Sequence, residues 1–367
     1  MKIAILGAGS VARAVALYLL NDKRVTSFTC FDQSKDNLLI IENYAGEKGK
    51  VRWLNATNFN RLVRKLCQFD GVINALPYAL LAETTRACII AGKSMVDLGG
   101  NTEVVNEQRG MHETALLSKA TIVPACGLAP GVISDMAFEG MRMLTKTNNI
   151  EMFCGGLPQH PQGELMHGLF FNEEGLYNEY AEKPEIIKDG LKCEMPFLLP
   201  QTDVYFNTPR FKSKLESALT HGAFHPALDL WNKTKNVSYA TLRYPGHFEK
   251  VREMIKNLDR AECVKQLKEK LGPAGDDLVA LRVAATGKLN EKTAIFETEF
   301  VDFCDEKIGL TAMQRCTGFP AAEVLLQVLT GAWPNGVIYH EPFVNMDMMR
   351  QNLKNHGINI NFSLCFP

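Results

Sequence analysis

The chain has 367 residues, of which 46% are hydrophobic and 22% charged, and a formal net charge of −1. That length exceeds one ordinary core and implies two domains, while the balanced charge argues against a nucleic-acid or anionic-membrane footprint. Its 10 cysteines show neither a Cys-x-x-Cys pair nor a Cys/His cluster at zinc spacing, so reduced thiols in a cytoplasmic protein are expected, with no metal site. Lys2 and the apolar stretch after it imitate a signal peptide only as far as Arg13, and no segment is long and apolar enough to span a bilayer.

The first element is "KIAILG", an apolar run of buried-strand type, followed by "VARAVALYLL" with apolar residues at helical spacing. Between them stands Gly7-Ala8-Gly9-Ser10-Val11-Ala12, a G-x-G-x-x-A pattern. Gly7 allows a tight strand-to-helix turn, Gly9 a close approach of pyrophosphate to the backbone, and Ala12 close packing of helix on strand. A second strand, "TSFTCF", ends at Asp32, where an acid binds ribose hydroxyls and repels a 2′-phosphate. The expected cofactor is therefore NAD rather than NADP, with Lys35 the one nearby feature that favours the latter.

Further strands are expected in "VRWLNA", "GVINALP", "SMVDLGG" and "TIVPACG", separated by helical stretches such as "FNRLVRKLCQF" and "AETTRACIIAG". Strands alternating with helices imply an α/β fold with a Rossmann-type doubly wound parallel sheet, whose ligands sit at the carboxyl ends of the strands. Ala75, Leu76, Pro77, Gly99 and Cys126 fall at such ends and are expected to line the cofactor. No Lys, Arg or His adjoins Cys126 to lower its pKa, so its thiol is expected to pack while its loop, "CGLAPG", rims the nicotinamide. Asp97 either holds a substrate ammonium or serves its turn as a capping aspartate. Pro130 and Gly131 turn the chain out of the sheet.

Beyond residue 150 the texture changes. "IEMFCGGLP" and "AIFETEFVDF" read as strands, and "HFEKVREMIKNL" and "AAEVLLQVLTG" as helices, which implies a second α+β domain with a mixed sheet. The expected division is 1–130, 131–333, and a tail 334–367 whose helix "MDMMRQNLKNHG" returns to the first domain. In "QHPQGELMHG", His160, Glu164 and His167 suggest a metal, but Pro161 and Gly163 oppose a helix, and a loop on the substrate side is the better reading.

The strings "GAGSVA", "DLGG", "CGLAPG", "GGLP", "NEEGLYNEY", "TLRYPGH" and "QRCTGF", in this order, resemble the saccharopine dehydrogenase-like family, and most of all its lysine 6-dehydrogenase branch. The resemblance runs from residue 1 to about residue 345. It implies a Rossmann domain with a substrate and dimerisation domain, and NAD(P)-dependent oxidation of the side-chain amine of lysine or a lysine derivative in a homodimer or larger oligomer. It also implies that Arg243 of "TLRYPGH" grips the substrate carboxylate and that Thr317 and Gly155 contact the substrate. Glutamate-forming saccharopine dehydrogenases carry Ser-Tyr where this chain has Leu98-Gly99, and a longer helical insertion. Free lysine, giving a semialdehyde that cyclises, is therefore the first expectation, and a saccharopine or carboxynorspermidine-type reductive condensation the second. A dinucleotide-binding sensor without turnover would have no need of Arg243, Asp97 and the "CGLAPG" loop together.

The chemistry sets its own requirements. A guanidinium matches a carboxylate bidentately, so Arg243 suits that task unless it is a surface arginine at a strand end. His247 is placed either to shuttle a proton or simply to pack.

Overall fold

The computed structural model describes every residue except 100, 171–172, 225–226, 228–229, 232–233 and 273–274. Gly100 of "DLGG" and Asn172 of "NEEGLYNEY" therefore lie outside the described residues. The chain divides into two compact units: Met1–Asp135 with Gln314–Gly357, and Met136–Met313 with Ile358–Pro367.

The first unit holds a seven-stranded parallel sheet. Its strands are β1 (Lys2–Leu6), β2 (Ser27–Asp32), β3 (Gly49–Trp53), β4 (Gly71–Asn74), β5 (Ser94–Asp97), β6 (Thr121–Val123) and, from far along the chain, β15 (Gly336–Val337). The crossover helices are α1 (Ser10–Asn21), α2 (Lys35–Ala45), α3 (Phe59–Leu66), α4 (Leu81–Ile90), α5 (Thr102–Arg109) and α6 (His112–Leu117). The order β15-β6-β5-β4-β1-β2-β3 puts a switch point between β1 and β4. In such sheets that crevice receives the ligand. The central strands β4 and β6 are buried along their length, whereas the edge strand β3 exposes most of its residues, as expected for a sheet covered on both faces.

The second unit is built on a nine-stranded mixed sheet with the main path β10-β11-β12-β7-β13-β14-β16. Its strands are β7 (Lys146–Pro158), β8 (Glu185–Lys188), β9 (Leu191–Glu194), β10 (Val204–Asn207), β11 (Lys212–Leu219), β12 (Asn236–Arg243), β13 (Asp277–Leu289), β14 (Lys292–Phe303) and β16 (Asn361–Cys365). β12 runs parallel to β7 and the remaining pairs are antiparallel. β14 alternates buried and half-buried side chains, the two-residue period of a sheet with one dry face. Helices α8 (Glu173–Ala181), α9 (His247–Asn257) and α10 (Arg260–Lys270) supply its second hydrophobic cluster, centred on Leu176, Tyr180, Phe248, Val251 and Leu267.

The α/β fold class expected from the sequence is the one observed, but the chain is apportioned differently from the expected segments. The boundaries between units fall inside α7 (Val132–Met143) and α11 (Ala312–Thr330), not at Pro130 and residue 333. Most of α11 belongs to the first unit because Glu323 is buried there, accepting from the Tyr18 hydroxyl at 2.6 Å and pairing with Arg24 at 2.5 Å. The helix α12 (Met346–Asn355) also lies in the first unit, whereas the last ten residues go to the second, where β16 pairs with β14.

Candidate functional site

At the end of β1, Gly7 has φ +92°, and a Cβ there would stand 2.6 Å from the Ala75 carbonyl oxygen, so only glycine fits. A Cβ on Gly9 would meet nothing within 4 Å. Gly9 is the N-cap of α1 and no side chain caps that helix, which leaves its first N–H groups to receive an anion beside Ser10 and Val11. Ala12 is fully buried against the sheet. Asp32, half-buried, accepts from the Ala8 N–H and the Ser34 N–H, both at 2.7 Å. A carboxylate has about four lone-pair sites, so Asp32 both shapes the glycine turn and keeps acceptors for ribose hydroxyls. Ala75 and Leu76 are half-buried and Pro77 exposed at the end of β4, across the switch point from Gly7. The arrangement suits a dinucleotide: a cradle free of side chains, an uncapped helix terminus and an acid at the end of β2.

Asp97 requires a correction. It is fully buried; its Oδ1 accepts from the N–H groups of Gly99 (2.8 Å) and Ala125 (2.9 Å), and its Oδ2 from Gln108 Nε2 (2.7 Å). Burial raises its pKa, opposed by those hydrogen bonds. Asp97 ties the "DLGG" turn to the "CGLAPG" loop and is not placed to hold a substrate ammonium. Its backbone carbonyl also accepts from Cys126 N–H. The Cys126 thiol is 1% exposed and burial pushes its pKa well up, so it packs. Thr317, half-buried on α11, stands beside this loop: its Cγ2 is 3.3 Å from where a Gly127 Cβ would be. That position is in the first unit, although the expected substrate domain, 131–333, included it.

In the second unit, Arg243 closes β12 at 3% exposure, so it is not a surface arginine. Its Nε donates to Tyr180 Oη at 2.7 Å, its Nη1 to the Leu242 carbonyl at 2.8 Å, and its Nη2 stands 3.6 Å from Glu179 Oε1. Thr241 donates to the same Glu179 oxygen at 2.8 Å. Tyr180 Oη is 3.0 Å from His247 Nε2, and His247 Nδ1 is 2.8 Å from the Leu165 carbonyl. A carbonyl only accepts, so Nδ1 carries a proton; with the ring neutral, Nε2 accepts from tyrosine, and the tyrosine oxygen accepts from Arg243. Burial and the Arg243 charge push the His247 pKa down to about 3. His247 is therefore a neutral, fully enclosed prop for Tyr180, which corrects the expectation of a proton shuttle. Gly155 is corrected too: it is buried in β7, where a Cβ would lie 2.6 Å from the Leu242 carbonyl oxygen, so it permits the strands to pack and does not reach for substrate.

The "QHPQGELMHG" segment separates its two histidines. His160 is exposed, while His167 is 2% exposed with its ring centre 5.4 Å from that of His247. Among the described residues no group of three His, Cys, Asp or Glu side chains could hold a metal. Sequence reading missed the roles of Glu179 and Tyr180, although both lie in the quoted string "NEEGLYNEY", and of Asp135, His340 and Glu341.

Comparison with known proteins decides the ancestry. Residues 3–123 match the saccharopine dehydrogenase NADP binding domain and residues 127–358 the saccharopine dehydrogenase C-terminal domain. The chain belongs to the saccharopine dehydrogenase family. Its first unit carries the family's nicotinamide dinucleotide-binding domain. Among curated relatives, α-aminoadipic semialdehyde synthase of Arabidopsis thaliana is 28% identical over 182 residues, 42% of this chain and 16% of that protein. The mitochondrial synthase of Bos taurus is 27% identical over 167 residues, 43% of this chain and 17% of that protein. The match thus spans about a sixth of either relative. Apo saccharopine dehydrogenase (L-Glu forming) from Saccharomyces cerevisiae shares the fold at TM-score 0.76 and 17% identity, over 99% of both chains. Among the described residues no helix is long and apolar enough to cross a membrane.

Proposed function

We propose that this saccharopine dehydrogenase-family protein oxidises the side-chain amine of lysine, with NAD as hydride acceptor, to a semialdehyde that cyclises. The observation that carries the reading is the pairing of Arg243 with Glu179 on the Tyr180–His247 rail. A guanidinium beside a carboxylate is the complement of an amino-acid head group, which offers a carboxylate to the first and an α-ammonium to the second. Tyr180 fixes the Nε edge of Arg243, so the Nη2 end is the part that turns toward a substrate carboxylate. Glu179 takes the ammonium role once expected of Asp97. A bound nicotinamide supplies the hydride acceptor. Gly7, Gly9 and the α1 terminus hold its pyrophosphate, and Asp32 reads the ribose, which supports NAD over NADP. A homodimer remains part of the proposal.

The two matched saccharopine dehydrogenase domains support a second reading, in which saccharopine is the amine oxidised. The test follows nicotinamide absorbance with lysine, saccharopine and cadaverine, with NAD and NADP compared, for the parent protein and Arg243→Lys. Lysine should be oxidised, and Arg243→Lys should lower kcat/KM at least about tenfold, since a charge-assisted bond is worth roughly 1.5–3 kcal/mol and misalignment adds to it. Coenzyme affinity should hold, and cadaverine, which lacks the carboxylate, should be a poor substrate that loses less. Equal losses for lysine and cadaverine would remove Arg243 from carboxylate recognition; oxidation of saccharopine alone would replace the first reading by the second.

A further inference from the structure

The reading above leaves three buried ionisable groups of the first unit without a task. His340 Nδ1 is 2.7 Å from Asp135 Oδ1, and the two residues are 3% and 2% exposed. A carboxylate only accepts, so the ring donates from Nδ1 to Asp135. Burial alone would lower its pKa, but the charges of Asp135 and Glu341 and the bond to Asp135 raise it to about 9. One cation therefore faces two carboxylates. Asp135 Oδ2 and Glu341 Oε2 are both shut away from water with no hydrogen-bond partner. Such bare buried acceptors carry the full desolvation penalty, and an ordered donor is the usual reason they persist.

Their place in the fold says where that donor arrives. Ile338, just after β15, donates its N–H to the Ile122 carbonyl in β6, so His340 and Glu341 lie at the carboxyl edge of the sheet. Asp135 is held to this edge by His340 and to the "CGLAPG" loop by its N–H, which donates to the Gly131 carbonyl, and Glu341 adjoins His340 in the chain. An anion would be repelled. A metal has no ligand set here, since an imidazolium has no free lone pair and Cys126 is held as a thiol. A small cation that donates hydrogen bonds is the kind of partner such oxygens require.

We propose that Asp135 Oδ2 and Glu341 Oε2 form a binding pole for a primary ammonium group, with the His340 imidazolium as the positioning residue that fixes the carboxylates. Identifying that ammonium with the reacting amine rests on the proposed function; the pole itself does not. At this edge an ammonium must become an amine before hydride can leave its carbon. One N–H bond of the ammonium breaks and one O–H bond forms on the carboxylate that receives the proton.

The test uses the full chain with 15N-labelled histidine, titrated near pH 7 with n-pentylammonium chloride, n-pentanol and sodium valerate. The His340 ring signals should shift saturably with pentylammonium and not with the other two. In Asp135→Asn and Glu341→Gln, NADH affinity should stay within about threefold, while the Kd for pentylammonium and the KM of any oxidised amine should rise at least tenfold. If either variant does not fold, the titration of the parent decides alone. A shift common to pentanol, or no saturable shift, means that water alone fills the cluster and overturns the pole. Pentylammonium binding without oxidation of any amine upholds the pole and removes the lysine reading. Lysine turnover with unchanged KM in both variants does the reverse.

Discussion

In the first unit the groups that would receive a ligand are mainly parts of the backbone: the turn at Gly7, the uncapped start of α1, the loop that Asp97 ties down. In the second unit they are side chains that hold one another, Arg243 through Tyr180 to His247. The first arrangement tolerates no added atom at Gly7, and the second almost no lost hydrogen bond. A cradle of main-chain donors fails by being filled, whereas a rail of side chains fails by losing its direction.

The largest expected effect fills the cradle. Gly7→Val puts a branched side chain at φ +92° and against the Ala75 carbonyl, and affinity for NADH, read by fluorescence titration, should fall a hundredfold or more, about 3 kcal/mol. Hydrogen exchange of β7 and β12 amides should stay as in the parent; an equal loss of protection there would mean that the substitution unfolds the chain and not the turn alone.

The next effect separates the units by the sign of their pH dependence. His247 has its pKa lowered to about 3 by burial and the Arg243 charge. A histidine depressed in the folded state stabilises fully above its ordinary value near 6.5, and that contribution is lost as pH falls toward 3. His340 is the opposite case, raised to about 9. Its contribution is complete below about 6.5 and lost as pH rises through 9. Local opening free energies from hydrogen exchange should therefore fall on the acid side around β12 and on the alkaline side around β6 and β15, each on the order of 2 kcal/mol. His247→Gln should flatten only the first slope and His340→Gln only the second. Matching slopes in both regions would erase the contrast.

The smallest effect concerns Cys126. With its thiol buried and its pKa raised, Cys126→Ala should retain turnover within about tenfold, a barrier change below roughly 1.4 kcal/mol. A loss of several orders of magnitude with coenzyme binding intact would give the thiol a chemical part after all.

The same contrast explains what could be read beforehand. Gly7, Gly9 and Asp32 stand in a local pattern whose spacing follows from strand, turn and helix, so the dinucleotide half was legible residue by residue. Tyr180 and His247 are 67 positions apart and Asp135 and His340 are 205 apart, separations over which no local period operates. Asp97 and His247 were left open between two roles for one reason: a titratable residue at a strand end or helix start looks the same in sequence whether it faces a cleft or is sealed by hydrogen bonds. Gly155 was assigned to the substrate from its motif, when the backbone of a neighbouring strand was what required it. The second sheet was foreseen as mixed, but the parallel pairing of β12 with β7 depends on strand order that pattern does not encode.

The discontinuity of the first unit bears on how the protein is made. Six of its seven parallel strands are synthesised by Val123, yet the seventh begins at Gly336, and the buried Glu323 that answers Tyr18 and Arg24 comes only slightly earlier. At about 5–20 residues per second, a ribosome needs on the order of 10–40 s to cover that interval. Throughout it the nascent sheet presents β6 as an open edge and Tyr18 without its acid. The strands of the coenzyme half thus stay with an open edge while those of the second unit from β7 to β14 are made.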